Sequence, residues 1–393
     1  MLSGKFFLWF YVVLWFFYEL QGLFLSQGGL LPQIIVVAIT ILSFIYMMMV
    51  HRFKHLPIFI YALDVLIFMF TIYGIVYAMG EGQVYKDLVL DKPINYLKNI
   101  YNSLLPIYVF YYFSRKNKMT EIDIRRFVFF FFIMAILSFW NLELQSVMLD
   151  DDDWYINNKG YALLSLFPAV VYLHNRPFVQ YMLLIVIFFF ILLGMKRGAI
   201  LIAFICLAVF LVERMRNTTQ KEKFIIVFLS ITIVVSLGFF IMYLVENNDY
   251  FYLRLQQTLE GHSSGREILY SSLMSHLAEN NSDLQLLFGA GANATLSITV
   301  NYAHNDWLEI CVNQGFFGVI IYAIYWFAFW YDMRRTKKDR HVYLSFLLLF
   351  IIFFAKTIFS MSYADMNIYS TCILGYCLSC NLKKNEKEGT PSD

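Results

Sequence analysis

Apolar residues run through this 393-residue chain in long blocks separated by short polar turns. A helix needs roughly 20 mostly apolar residues to cross the hydrocarbon core of a bilayer. On that measure the pattern predicts spans near 6–24, 30–50, 57–79, 99–113, 127–148, 161–175, 178–195, 198–212, 224–245, 315–332, 342–358 and 367–380. Several are shorter than a full crossing, so the expectation is about 12 transmembrane helices. One polar stretch interrupts them, residues 246–303, and only this segment is long enough to hold a folded element outside the membrane. Within it, Gly265 to Leu277 places Ile268, Leu269, Leu273 and Leu277 at helical spacing after Ser263 and Ser264, which suit an N-cap. Glu279-Asn280-Asn281-Ser282-Asp283 ends that helix, and Leu284 to Phe288 then runs into Gly289-Ala290-Gly291-Ala292. A further helix leaves at His304-Asn305-Asp306-Trp307-Leu308-Glu309.

Composition fixes the class. With 60% hydrophobic residues, 19% aromatic, 15% charged and a mean hydropathy of +0.61, the chain reads as an all-α polytopic membrane protein, far from a soluble domain's balance. The expected organisation is one transmembrane domain over 1–382, with 246–303 as a large outer loop and 304–333 as a His-containing helix and its following span. The remaining 383–393, rich in Lys, Glu, Gly and Pro, reads as an unstructured cytoplasmic tail. Residues 1–24 lack a basic region beyond Lys5 and a small-residue cleavage site, so they read as the first span. The five cysteines all fall in apolar segments and behave as small hydrophobes; Cys377 and Cys380 form a C-x-x-C without a second ligand pair.

Charge sets the orientation, because cytoplasmic loops retain lysine and arginine. Placing the N-terminus inside puts most of the 30 basic residues on the inner side, at Lys5, Arg52, Lys54, 115–126, Arg176, 214–223, 334–340 and in the tail. Arg197, Arg254 and Arg266 fall on the outer side against this bias, which marks them for function. Glu19, Asp64 and Glu143 lie in or near spans without an assignable partner, whereas Lys356 and Asp365 are placed to pair. Asp150 to Asp153 suits a hard cation or, more plainly, a solvated acidic cluster. The net charge of +2 offers no reason to expect nucleic acid.

Three motifs follow one another in the C-terminal half: Lys196-Arg197-Gly198 at a span boundary, Ser264-Gly265-Arg266 ahead of Gly289-Ala290-Gly291, and His304-Asn305, nine intervening residues, then Gly315 and Gly318. In this order, over roughly 194–333, the chain resembles the O-antigen polymerase and O-antigen ligase family of bacterial surface-polysaccharide assembly. The resemblance implies a fold similar to the C-type glycosyltransferases, all-helical membrane enzymes that use neither metal nor cofactor. It implies an undecaprenyl-diphosphate-linked glycan as donor, and a second lipid-linked glycan or a lipid A core as acceptor. It further implies contact with membrane lipids, a chain-length regulator as partner, and an inner-membrane location with the site facing the periplasm.

The residue chemistry suits such a reaction. The planar fork of arginine binds phosphate oxygens in pairs and keeps its charge beside a low-dielectric membrane, so Arg197 and Arg266 are the candidate donor-diphosphate ligands. His304 is the candidate catalytic base for an acceptor hydroxyl, since imidazole titrates near working pH. Asn305, Gly265, Gly289 and Gly291 are candidate supports, although the glycine pair equally suits a tight turn. Each site residue has a plainer alternative: Arg197 as an interfacial anchor, Arg266 as a solvated helix start, and His304 as a structural histidine. Asp306 and Glu309 lie within about a turn of His304, but their spacing secures neither as its orienting partner. A transporter of lipid-linked glycans is the competing class, yet it would spread charge through a central cavity, whereas here charge gathers in one outer loop.

Overall fold

A computed structural model describes residues 4–26, 28–80, 93–148, 157, 159–216, 220–260, 265–279 and 282–388. Among these the regular elements are helices. The first half holds α1 (Gly4–Glu19), α2 (Leu30–Val50), α3 (Ile58–Met79), α4 (Pro93–Leu104), α5 (Pro106–Arg115), α6 (Glu121–Met148), α7 (Gly160–Leu164), α8 (Phe167–Val170) and α9 (Pro177–Leu193). Proline punctuates this half. Pro32, Pro57, Pro93, Pro106, Pro168 and Pro177 each stand at a helix N-cap or within its first three positions, where a missing N–H costs no helical bond.

That punctuation explains where the structure departs from the expected spans. The stretch read as 99–113 breaks after Leu104, because Pro106 starts a new helix there. The stretch read as 161–175 divides into α7, α8 and a 3-10 turn, Val171–Leu173. Among the described residues five helices are long and apolar enough to cross a membrane: Leu30–Val50, Ile58–Met79, Arg197–Arg216, Asp306–Lys338 and Arg340–Phe359. Shorter apolar helices, Gly160–Leu173, Pro177–Leu193, Val235–Asn247 and Ile368–Cys380, stand at four further predicted positions. The architecture is that of an all-α, multi-pass membrane protein.

The second half continues with α10 (Arg197–Arg216), α11 (Gln220–Asn247), α12 (Asp249–Leu259), α13 (Arg266–Glu279), α14 (Asp283–Phe288), α15 (Ala294–Thr299), α16 (Asp306–Arg335), α17 (Arg340–Phe359) and α18 (Ile368–Glu388). The expected helix at 265–277 is α13, and the polar break after it leads into α14, whose Ser282 and Gln285 form a reciprocal capping box. Ser263 and Ser264 lie outside the described residues. Leu273 is fully buried in a small core with Ala294, Ala303 and Val312, against which Leu269 and Leu277 pack. Ile268, expected on the same face, is instead 76% exposed, because one residue of offset turns it about 100° away. This small core is separate from the main one, so the polar segment is a folded layer of its own, laid on α16. At the C-terminus, α18 runs on to Glu388, into the segment read as unstructured; Lys and Glu are good helix formers there.

Candidate functional site

Three helices begin at one place. Lys196 and Arg197 open α10, Gly265 and Arg266 open α13, and His304 and Asn305 lead into α16. Each start is preceded by a residue in the left-handed backbone region: Met195 (φ 52°), Gly265 (φ 78°) and His304 (φ 52°). Such a residue turns the chain sharply, so the helix after it starts in a new direction. Between these starts lies a cavity of about 220 Å³, lined among others by Tyr161, Lys196, Arg197, Gly265, Arg266 and His304. No carboxylate is found among the described residues that line it. A helix start leaves backbone N–H groups without intrahelical partners and carries partial positive charge. With three basic side chains added, the cavity is built for an anion with several oxygens.

His304 lies partly buried at the rim of this cavity. Burial, and then the charges of Lys196 and Arg266, hold its imidazole below the usual value of 6.5. It is therefore neutral near pH 7 and able to accept a proton. Neither nearby acid bonds to the ring; both fix the backbone around it. Glu309 is fully buried and accepts from the Ala303 N–H at 2.6 Å, from the Thr295 hydroxyl and from the Asn313 side-chain amide at 2.9 Å. Asp306, also fully buried, accepts from the Ser362 N–H at 3.0 Å and from the Tyr322 hydroxyl at 2.5 Å. Asn305 caps α16, its side-chain oxygen accepting from the Leu308 N–H at 3.1 Å. Arg266 donates to the Phe359 carbonyl at 3.0 Å, which ties the start of α13 to the end of α17.

Gly289 and Gly291, expected to support the site, belong to a different structure. Gly315 (φ 67°) breaks the helical geometry inside α16, so Val312 and Asn313 lose their normal acceptor roles within the helix. The N–H groups of Ala290 and Gly291 replace the lost donors, bonding to the carbonyls of Val312 at 2.9 Å and Asn313 at 3.0 Å. The approach is close enough that a Cβ on Gly289 would lie 2.3 Å from the Asn313 oxygen, and one on Gly315 would lie 2.5 Å from the Gly289 nitrogen. Neither Gly289 nor Gly291 is among the residues lining the basic cavity; both border an apolar groove between α3 and α16 instead. Their role is to splice the kink.

The other polar residues divide in the same way. Glu19 pairs with Lys159 at 3.1 Å, Asp64 with His51 at 3.2 Å and with the Tyr108 hydroxyl at 2.5 Å, and Lys356 pairs with Asp365 as its position suggested. The side chains of Glu143 and Arg254, and all of Asp150 to Asp153, lie outside the described residues. The five cysteines are free. Sequence reading missed Tyr161 in the cavity wall, and Thr295, Asn313, Tyr322 and Ser362 as partners of the two acids. Tyr161 stands 37 residues from Gly198, and Ser362 stands 56 from Asp306, separations that no local periodicity could register.

The fold is that of a multi-pass, all-helical membrane protein, with a cavity lined by Lys196, Arg197, Arg266 and His304. Residues 182–323 match the family model described as O-antigen ligase, and this supports the O-antigen ligase and polymerase family for the chain. No curated protein matches it. The matched segment contains Arg197, Arg266 and His304, together with the spliced kink.

Proposed function

We propose that this chain is a membrane glycosyltransferase that polymerises undecaprenyl-diphosphate-linked oligosaccharide repeats into O-antigen or capsular polysaccharide at the outer face of the bacterial inner membrane. In this reading about 12 spans make up residues 1–382, with 383–393 as a cytoplasmic tail. The observation that carries it is the convergence of Arg197, Arg266 and His304 on one cavity from three separate helix starts. Arg197 and Arg266 grip the donor diphosphate and stabilise the charge that grows on it as its bond to the anomeric carbon breaks. The acceptor hydroxyl attacks that carbon, its proton passes to His304, and undecaprenyl diphosphate leaves with the bonding electrons. The arginines supply the positive charge, so the reaction runs without a metal.

A second reading, transfer of the finished glycan to a lipid A core, is favoured by the description of the matching family. The purified full-length protein separates the two. Given lipid-linked repeat units alone, a polymerase forms a ladder of longer chains, and it does so in EDTA. No ladder from repeat units alone, but their transfer onto lipid A core once it is added, establishes the ligase; a ladder lost in EDTA and restored by a divalent ion overturns the metal-free mechanism.

A further inference from the structure

One wall of the basic cavity is Tyr161, the second residue of α7, which lies outside the matched segment. Its side chain is buried, at 5% exposure, and its hydroxyl has no hydrogen-bond partner among the described residues. An unpartnered buried hydroxyl forfeits its hydration and is uncommon in native proteins, so each instance asks for a reason. Of the buried polar atoms without a partner among the described residues, the Tyr161 oxygen alone belongs to a residue that lines this cavity.

Its placement is specific. A Cβ on Gly198 would lie 2.4 Å from the Tyr161 oxygen, so the hydroxyl rests against the first turn of α10, beside Arg197, in space that only a glycine leaves open. The Lys356 ammonium stands over the ring at 4.8 Å, held there by Asp365. A cation on the ring face draws electron density from the phenol and strengthens its O–H as a donor. The hydroxyl thus sits at the start of α10, whose N–H groups favour negative charge, and within reach of the charge of Arg266.

Resting on the diphosphate reading of the cavity, we infer that Tyr161 is a further ligand-binding residue, whose hydroxyl donates to a phosphate oxygen of the donor once that group is seated between Arg197 and Arg266. The oxygen is closed to water, so the ligand reaches it by parting the side chains that cover it. Gly198 has a matching role: it makes the space that brings a hydroxyl from another helix to the start of α10.

The test is equilibrium binding of undecaprenyl diphosphate, without a glycan, to the full-length protein in phosphatidylcholine nanodiscs, where no anionic headgroup competes. Tyr161→Phe keeps the ring and its contact with Lys356 and removes only the hydroxyl. It should weaken binding about 10- to 100-fold, the usual loss for a hydrogen bond to a charged group. Its melting temperature without ligand should hold or rise, because an unsatisfied buried group has been removed. Arg197→Ala is the companion variant and should bind more weakly still. Wild-type affinity in Tyr161→Phe beside weakened Arg197→Ala removes Tyr161 and leaves the diphosphate reading standing. Weaker binding accompanied by a lower melting temperature returns Tyr161 to the core and overturns the assignment. Wild-type affinity in Arg197→Ala overturns the diphosphate reading, and this inference with it.

Discussion

The polar segment contains two glycine-bearing turns of similar appearance, and they do opposite things. At Gly265 the chain enters α13 and delivers Arg266 to a cavity already holding Arg197 and His304. At Gly289 to Gly291 it delivers no side chain to that cavity; its N–H groups repair the helix broken at Gly315. One turn feeds a side chain into the cavity and the other serves the backbone. The difference teaches that a motif's glycines and its charged residues need not share a site, even when they lie close in sequence.

The largest effect expected from breaking this contrast falls on the arginines. Arg197→Ala or Arg266→Ala should abolish chain elongation while the protein inserts and folds, and lysine should rescue poorly, because a point charge cannot reproduce the fork. Glycan length on a gel, beside the amount of folded protein, checks both halves. His304→Asn should follow, with a loss of about 100- to 10,000-fold in rate, as for a missing general base. Asparagine tolerates the left-handed backbone that His304 adopts, so folding should survive the change. Long chains at the wild-type rate would remove His304 from the chemistry.

Gly289→Ala should behave oppositely. Its Cβ would strike the Asn313 carbonyl from a left-handed backbone, so about 2 kcal/mol or more of stability should be lost. The yield of folded protein and its melting temperature should fall, while donor affinity per folded molecule holds. Weakened affinity in a fully stable variant would place the second turn in the site after all.

The smallest effect is a displacement in pH. Because the folded-state pKa of His304 is depressed, its base form persists below pH 6.5, and the rate is lost only as pH falls through that lowered value. The acid limb of kcat/KM should therefore lie below 6.5. Bound diphosphate brings negative charge near Lys196 and Arg266 and shifts the imidazole back up, so the acid limb of kcat should sit at higher pH. Coincident limbs would indicate that the ring does not sense the donor.

Much of this was readable in the chain. The apolar blocks gave most helices and the membrane class, and the arginines standing against the charge bias led to the cavity. What could not be read depended on contacts between distant segments. Sequence spacing left open whether Asp306 or Glu309 orients His304, and their oxygens are in fact taken up by Ser362, Tyr322, Ala303 and Thr295. Tyr161 looks like one more aromatic in an apolar block, and only packing against Gly198 sets it apart. The broken spans at Leu104 and Phe167 were announced by proline, a signal that averaging hydropathy over a window conceals.

The break at Gly315 also makes α16 a jointed rod. Its short arm, from Asp306 to Gln314, is about 13 Å long and carries His304 at its tip. Swinging that arm by about 10° about the joint would carry the imidazole some 2 Å, roughly the distance between a productive and an idle base. Two buried carboxylates brace the arm, Asp306 against Ser362 and Glu309 against Ala303, while the glycine splice holds its pivot. Small changes of packing far inside the bundle, at Tyr322 or along α3, thereby gain leverage over where the His304 ring stands.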